Sequence, residues 1–262
     1  MSKLFRKAGC LLLALAPPHA HSQIAPPPNP APHPPPVYDV VSIRIDDRGP
    51  GSSDTDVDDG IFTATNVTLR DLLEDAFDIR QDIISGVPGA IDSLRFDVHA
   101  KIVEPDRDAL HKLSDHQRRA MLLPILAERF HLKARIETKT LPVYELLLLK
   151  KGPRFQRSPN QGSEDQDTSV RNTSIKASNM PISIFCKTLS HQLHRTVIDK
   201  TGLPGLYDLE LKWSRDDATD LPADAPPTFF TALQEQLGLK LLPTKGPVET
   251  LVVDHVEMPS EN

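Results

Sequence analysis

The stretch FTATNVTLRDLL, Phe62 to Leu73, reads as a strand running into a helix, and the chain uses this pattern twice. The second copy is IKASNMPISIFC, Ile175 to Cys186. Ala64 falls on Ala177, Thr65 on Ser178, Asn66 on Asn179, Val67 on Met180, Leu69 on Ile182 and Leu72 on Phe185. In the first copy Thr68, with Asp71 three residues on, makes a capping box. Leu69, Leu72, Leu73, Ala76 and Phe77 follow at helical spacing and form one apolar face. In the second copy Ile182, Phe185, Cys186, Leu189 and Leu193 form the same face. An asparagine at both strand-to-helix turns predicts a cap or a left-handed backbone, which its short polar side chain tolerates.

Working outward, YDVVSIRI (Tyr38 to Ile45) alternates as a strand. Asp46 to Gly60 carries six aspartates and reads as a solvated loop. Its DTDVDDG run lacks the ligand spacing and closing glutamate of a calcium-binding EF-hand. Ile61 to Thr65 and Asp82 to Ser85 read as strands. GVPG (Gly86 to Gly89) reads as a type II turn with Pro88 and Gly89 at its centre. RFDVHAK (Arg95 to Lys101) alternates as a strand.

Ser114 and Gln117 make a second capping box. They open a helix to Phe130 that buries Leu122, Ile125, Leu126 and Phe130, with Pro124 kinking or splitting it. HLKARIET and VYELLLL, His131 to Leu149, predict a hairpin around Lys139 to Pro142. Gly152 to Val170 is polar and aperiodic, a linker.

Beyond it GLPG (Gly202 to Gly205) answers GVPG, and YDLELKW (Tyr207 to Trp213) answers FDVHAK. FFTALQEQLGLKL (Phe229 to Leu241) answers LLPILAERFHLKA, and PVETLVVD (Pro247 to Asp254) answers PVYELLLL. An acidic loop, Ser214 to Pro227, stands between them. The expected fold is α+β: two duplicated lobes, 37–151 and 171–262, joined by 152–170. Each lobe reads β-α-β-β-α-β-β, with two helices packed on small sheets.

The N-terminus predicts export. Lys3, Arg6 and Lys7 precede a short apolar run, Cys10 to Ala16, and small residues near Ala20 and Ser22 offer cleavage sites. Residues 1–22 therefore read as a signal peptide. The run is too short for a bilayer, which takes about 20 residues, and no later stretch reads as a membrane span. Acylation of Cys10 is set aside because the apolar run follows that cysteine instead of ending at it. Residues 23–36 form a proline-rich spacer, with eight prolines in the eleven positions Pro26 to Pro36, so a polyproline II conformation is expected. Cleavage would leave Cys186 as the one cysteine, without an intrachain disulfide. It would also remove three of 30 basic residues against 36 acidic ones, giving a net charge of −9. That charge argues against nucleic acid and anionic membranes as partners. The expected location is periplasmic or extracellular.

Duplication supplies a filter for chemistry: residues present in both lobes serve the fold, and polar residues special to one lobe are functional candidates. Asn66 with Asn179, and Asp97 with Asp208, fall in the first class. His191 and His194 fall in the second, opposite Asp78 and Gln81. Their i, i+3 spacing would let both bind one metal. No nearby Glu or Cys completes a ligand set, so the solvated end of a helix is the reading taken. Cys186 sits on the apolar face opposite Leu73, where burial makes a thiol inert. Asp199, Lys200 and Thr201 in VIDKTGLPG have no match in the first lobe and are candidates for a recognition loop. The chain carries no G-x-S-x-G, Walker or Rossmann pattern, and no cofactor is expected.

These segments, above all YDVVSIRI, FTATNVTLRDLL, AERFHLKARIETKTLPVYELLLLKKGP, VIDKTGLPGLYDLELKW and the run from Phe229 to Asn262, resemble the "soil-associated" family. Its members are secreted proteins of unknown function in acidobacteria-type soil bacteria. Ile45 departs from the proline that this family tends to carry after the first strand. The resemblance implies no catalytic residue. Relatives joined to membrane sensor peptidases imply sensing or signalling. The segment Asn66 to Leu73 is also similar, more distantly, to short periplasmic domains at the N-termini of secretins and TonB-dependent receptors, which are interaction modules. The expected function is an exported non-catalytic binding module for an envelope protein, peptide or glycan. The alternative is a hydrolase with a site between the lobes, drawing on His191, His194, Asp199 and His255.

Overall fold

The computed structural model describes residues 36–159, 161, 167–215 and 225–259. The expected signal peptide, the spacer up to Pro35, and parts of the 152–170 linker and the Ser214 to Pro227 loop lie outside the described residues. The fold is mixed α and β. The first half contributes β1 (Val40–Ile45), β2 (Asp54–Asp58), β3 (Ile61–Val67), α1 (Leu69–Phe77), a 3-10 turn (Gln81–Ile83), β4 (Ile84–Ser85), α2 (Gly89–Asp92), β5 (Phe96–Lys101), α3 (Arg107–His111), α4 (Asp115–Ala120), α5 (Leu122–Arg129) and β6 (Lys133–Leu148). The second half contributes β7 (Gln156–Arg157), β8 (Asp167–Arg171), β9 (Ser174–Pro181), α6 (Ile182–Leu193), β10 (Val197–Asp199), β11 (Leu206–Lys212), α7 (Phe229–Leu237) and β12 (Leu239–His255). Among the described residues no helix is long and apolar enough to cross a membrane.

The described strands form three sheets of four, ordered β1-β5-β3-β2, β7-β11-β9-β8 and β10-β6-β12-β4. The third sheet joins the halves. β6 and β12 pair antiparallel from Lys133↔His255 to Leu148↔Leu239. β4 of the first half lies parallel to β12, and β10 of the second half lies parallel to β6. Each half therefore places its short strand on the other half's long one.

The expected hairpin around Lys139 to Pro142 does not form, and β6 runs straight through it. Pro142 and Pro247 sit within the ribbon opposite Lys245 and Thr140. A pairing partner is available along the whole length of β6, so the chain has no need to fold back on itself.

The exchange also decides the cores. The first core holds Phe62, Leu69, Leu73, Phe96, Leu126 and Phe130, and it is completed by Leu251, Val253 and Val256 from the end of the chain. The second holds Ile175, Met180, Phe185, Leu189, Leu211 and Leu233, and it takes Leu146 from β6. Burying a large apolar side chain stabilises by about 1.5–3 kcal/mol. The three borrowed residues of the first core thus contribute on the order of 5–9 kcal/mol, comparable with the whole stability of a typical domain.

Both strand-to-helix turns are built on asparagine. Asn66 (φ 56) and Asn179 (φ 55) adopt the left-handed conformation. The Asn66 N–H donates to Asp97 Oδ1 at 2.9 Å, and the Asn179 N–H donates to Asp208 Oδ1 at 3.0 Å. The strand register shifts at each of these places, so the asparagine is the extra residue of a bulge. Thr68 then caps α1 through the expected box with Asp71. Ser114 caps α4 with Gln117, and the helix breaks at Met121, three residues before Pro124.

Other local expectations are corrected. Asp54–Asp58 is a strand and not part of a loop. It forms a hairpin with β3 across Asp59 (φ 41) and Gly60 (φ 84), the double positive φ of a two-residue turn. Much of Asp82 to Ser85 is a 3-10 turn, and only Ile84–Ser85 pairs as a strand. Gly89 opens α2 in place of a turn centre, and the positive φ (86) falls on Gly86. A Cβ at Gly86 would collide with the Val253 carbonyl oxygen, so this glycine lets the chain close against β12. The polar linker contributes two short edge strands, β7 and β8, to the second half's sheet.

Candidate functional site

The halves meet at a cleft of about 430 Å³ beside the shared ribbon, lined among others by Arg80, Asp82, Tyr144, His194, Arg195 and Thr196. α6 ends at Leu193, and His194 turns the chain in the left-handed conformation (φ 48, ψ 34). That turn sends Arg195 and Thr196 directly towards β10. The Tyr144 N–H donates to the Thr196 carbonyl at 2.8 Å. Ser190 fastens the turn from below: it accepts from the Val197 N–H at 2.8 Å and donates to the Cys186 carbonyl at 2.7 Å.

Two arginines set the electrostatics. Arg80 is neutralised, with Nε and Nη2 donating to Asp82 at 2.9 and 3.0 Å and Nη1 reaching Thr196 Oγ1 at 3.2 Å. Arg195 pairs with no carboxylate among the described residues. Its guanidinium carbon lies 4.2 Å from the Tyr144 ring centroid, a cation–π contact. Nη2 makes one long bond, 3.4 Å to the Thr244 carbonyl, and Nε is buried without a partner among the described residues. Nη1 has no acceptor among the described residues. A guanidinium held in place by stacking, with donors unspent, suits a carboxylate. Leu141, Pro142 and Leu193 supply apolar wall beside it.

The candidates named from sequence separate. His194 lines this cleft, whereas His191 turns to Glu74 of α1, Nδ1 to Oε1 3.4 Å. Burial lowers the pKa of His191, and the Glu74 charge partly opposes that effect. Lys187, also on α6, bonds Asp78 at the end of α1. Among the described residues no three His, Cys, Asp or Glu side chains converge as metal ligands would.

Asp199, Lys200 and Thr201 form a turn that closes on itself. Asp199 Oδ1 accepts from the Thr201 N–H and hydroxyl, both at 2.8 Å, and Thr201 Oγ1 accepts from the Leu203 N–H at 3.2 Å. Lys200 is exposed, with its N–H on the Leu146 carbonyl. His255 sits at the other end of the ribbon beside Glu257, at 2.8 Å. Its partner Lys133 and Asp199's partner Leu146 are far apart on β6, roughly 40 Å at about 3.3 Å per residue. The structure therefore does not gather His191, His194, Asp199 and His255 into one site. Cys186 is buried, and burial pushes its thiol up to about 12, which leaves it un-ionised.

Sequence reasoning passed over Arg80, Tyr144 and Arg195. The available signal was the arginine directly after the helix cap, His194. Its stacking partner is 51 positions earlier and becomes adjacent only through β10 and β6. A larger cleft, about 540 Å³, opens beside Trp213, Arg215, Phe229 and Phe230, and none of the candidates named from the sequence lines it.

No curated protein matches the chain, and neither does any solved structure. A family model described as "Protein of unknown function (DUF3738)" matches residues 70–256, a span that holds all but the first residue of α1, the shared ribbon and every residue of the junction cleft. The chain therefore belongs to this family of proteins of unknown function.

Proposed function

We propose that the protein is an exported, non-catalytic interaction module that takes a carboxylate-bearing segment of an envelope protein at the junction cleft, in a sensing or signalling role. The observation that carries this reading is Arg195, a stacked guanidinium without a carboxylate partner among the described residues, in an open cleft with apolar walls. The basic and then apolar N-terminus supports export. The likeness to secreted soil-associated proteins and to periplasmic interaction domains supports the sensing role. The two halves are taken as copies of one unit, and the matching Asn–Asp contacts at their strand-to-helix turns support that. A cleft between copies changes shape if the halves shift, so occupancy there would be communicated through the ribbon.

The test is crosslinking with mass spectrometry in the producing cells, comparing the natural chain with Arg195→Ala. A partner crosslinked near the cleft in the first and lost in the second supports the reading. A partner that Arg195→Ala leaves untouched, or none above an unrelated exported protein, ends it. Thermal melts of the purified variant separate lost binding from lost folding.

A further inference from the structure

A second site lies in the first half, away from the ribbon. The β2–β3 hairpin, α1 and the α4–α5 region enclose a groove of about 230 Å³, lined by Tyr38, Thr55, Val57, Phe62, Asp75, Arg118, Arg119 and Leu122. Its size is below the range of drug-sized pockets, about 300–1,000 Å³, and suits one residue-sized molecule. Phe62 and Leu122 are buried and give it an apolar floor, and the Tyr38 and Phe62 rings lie 6.3 Å apart.

The polar groups here are of two signs and are incompletely used. Asp75 is half-buried, and its carboxylate accepts no hydrogen bond from the described residues. Burial raises its pKa, with Arg119 acting in the opposite sense. Arg118 spends Nε and Nη2 on the carbonyls of Leu113 and His111, at 3.2 and 3.4 Å, which leaves Nη1 without an acceptor among the described residues. Arg119 is engaged by Asp78 and by the Asp75 carbonyl, at 3.4 and 3.3 Å. The Tyr38 hydroxyl makes no hydrogen bond with the described residues, and burial pushes it up to about 12, so it remains a neutral donor. An unspent carboxylate, an unspent guanidinium face and an apolar floor in one small groove match a molecule with an ammonium, a carboxylate and an apolar side chain. A simple cation would meet the two arginines, and a simple anion would meet Asp75.

We propose that this groove binds a free α-amino acid with an apolar side chain, its ammonium on Asp75, its carboxylate on Arg118 and its side chain against Phe62 and Leu122. The site is separate from the junction cleft, and the two readings stand or fall independently.

The experiment titrates the exported chain with L-leucine, N-acetyl-L-leucine and L-leucinamide, followed by amide NMR shifts and calorimetry. Leucine is expected to shift Tyr38, Val57, Asp75 and Arg118 saturably. Each blocked form is expected to bind about ten- to a hundredfold more weakly, the effect of losing one hydrogen bond to a charged group. Asp75→Asn should remove the preference for leucine over its N-acetyl form, and Arg118→Ala the preference over its amide. Equal binding of free and blocked forms, or no shifts at millimolar leucine, overturns the proposal. The comparison of free and blocked leucine uses the natural chain, so it decides even if a variant fails to fold.

Discussion

In the first half α1 runs nine residues and closes on Asp78 at φ 59, whereas in the second α6 runs twelve and closes on His194 at φ 48. Both helices follow a left-handed asparagine whose N–H is held by an aspartate on the neighbouring strand. The helix starts match, and the helix ends differ by about one turn, roughly 4.5 Å at about 1.5 Å per residue. Counting residues from the helix start sets Asp78 opposite His191, but the two caps show that Asp78 corresponds in position to His194. The added turn carries His191 across to Glu74 and delivers Arg195 onto Tyr144. The difference teaches that the strand-to-helix turn is scaffold and that the second half's longer helix builds the cleft.

The largest expected effect comes from separating the halves. Expressed alone, residues 36–159 lack Leu251, Val253 and Val256, and residues 167–259 lack Leu146 and the partner strand β6. Each half alone is expected to show poor NMR dispersion, and mixing the two should restore it. A well-dispersed spectrum from either half alone would break the picture of exchanged strands.

Next in size is a paired test of two glycines. Gly86→Ala drives a Cβ into the Val253 carbonyl at positive φ, whereas a Cβ at Gly202 (φ 69) meets nothing within 4 Å. The second substitution is expected to cost about 1–2 kcal/mol, the cost of a left-handed L residue. The first should cost more than that, because a backbone must also move. Urea midpoints at constant slope measure both.

Asp97→Ala and Asp208→Ala each leave a bulge N–H without its acceptor. Both are expected to destabilise by about 1–3 kcal/mol, and similar values would sharpen the equivalence of the two asparagine bulges. Cys186 provides a check on the second core. In a chain starting at residue 23 it should resist thiol reagents until denaturant unfolds the protein, as a thiol pushed up to about 12 requires.

The smallest effect concerns Asp75. Its folded pKa is raised, so between the ordinary carboxylate range and that raised value the folded state holds more protons than the unfolded state. Its contribution therefore falls as pH rises through the folded value and is unfavourable at neutral pH. Asp75→Asn should gain a few tenths of a kcal/mol at pH 7, small because the half-exposed group is screened, and should make stability rise more steeply with pH on the acid side, because the falling contribution of Asp75 is gone.

Much of the local structure was legible in the sequence. The capping boxes at Thr68 and Ser114 satisfy helix N–H groups with residues three positions away, and both form as written. The apolar faces of α1 and α6 follow from spacing alone. The DG turn at Asp59–Gly60 is also present in the sequence, but the aspartates around it disguise its strands as a loop. Of the site, only His194 stood out in the sequence. Arg80 and Arg195 look like ordinary charged residues there, because what distinguishes them is which neighbours do or do not neutralise them.

By itself the sequence determined α1, α6 and α7, the capping boxes at Thr68 and Ser114, the left-handed turns at Asn66 and Asn179 and the inert burial of Cys186, since each depends on contacts or periodicity within a few residues. Tertiary structure alone decided that β6 and β12 run on as one ribbon past Pro142 and Pro247, that each core is completed by the other half, and that Arg195 stacks on Tyr144. Strand pairing joins residues about a hundred positions apart. A strand carries no local mark of which partner will satisfy its backbone, so its pairing is settled only when the whole chain has folded.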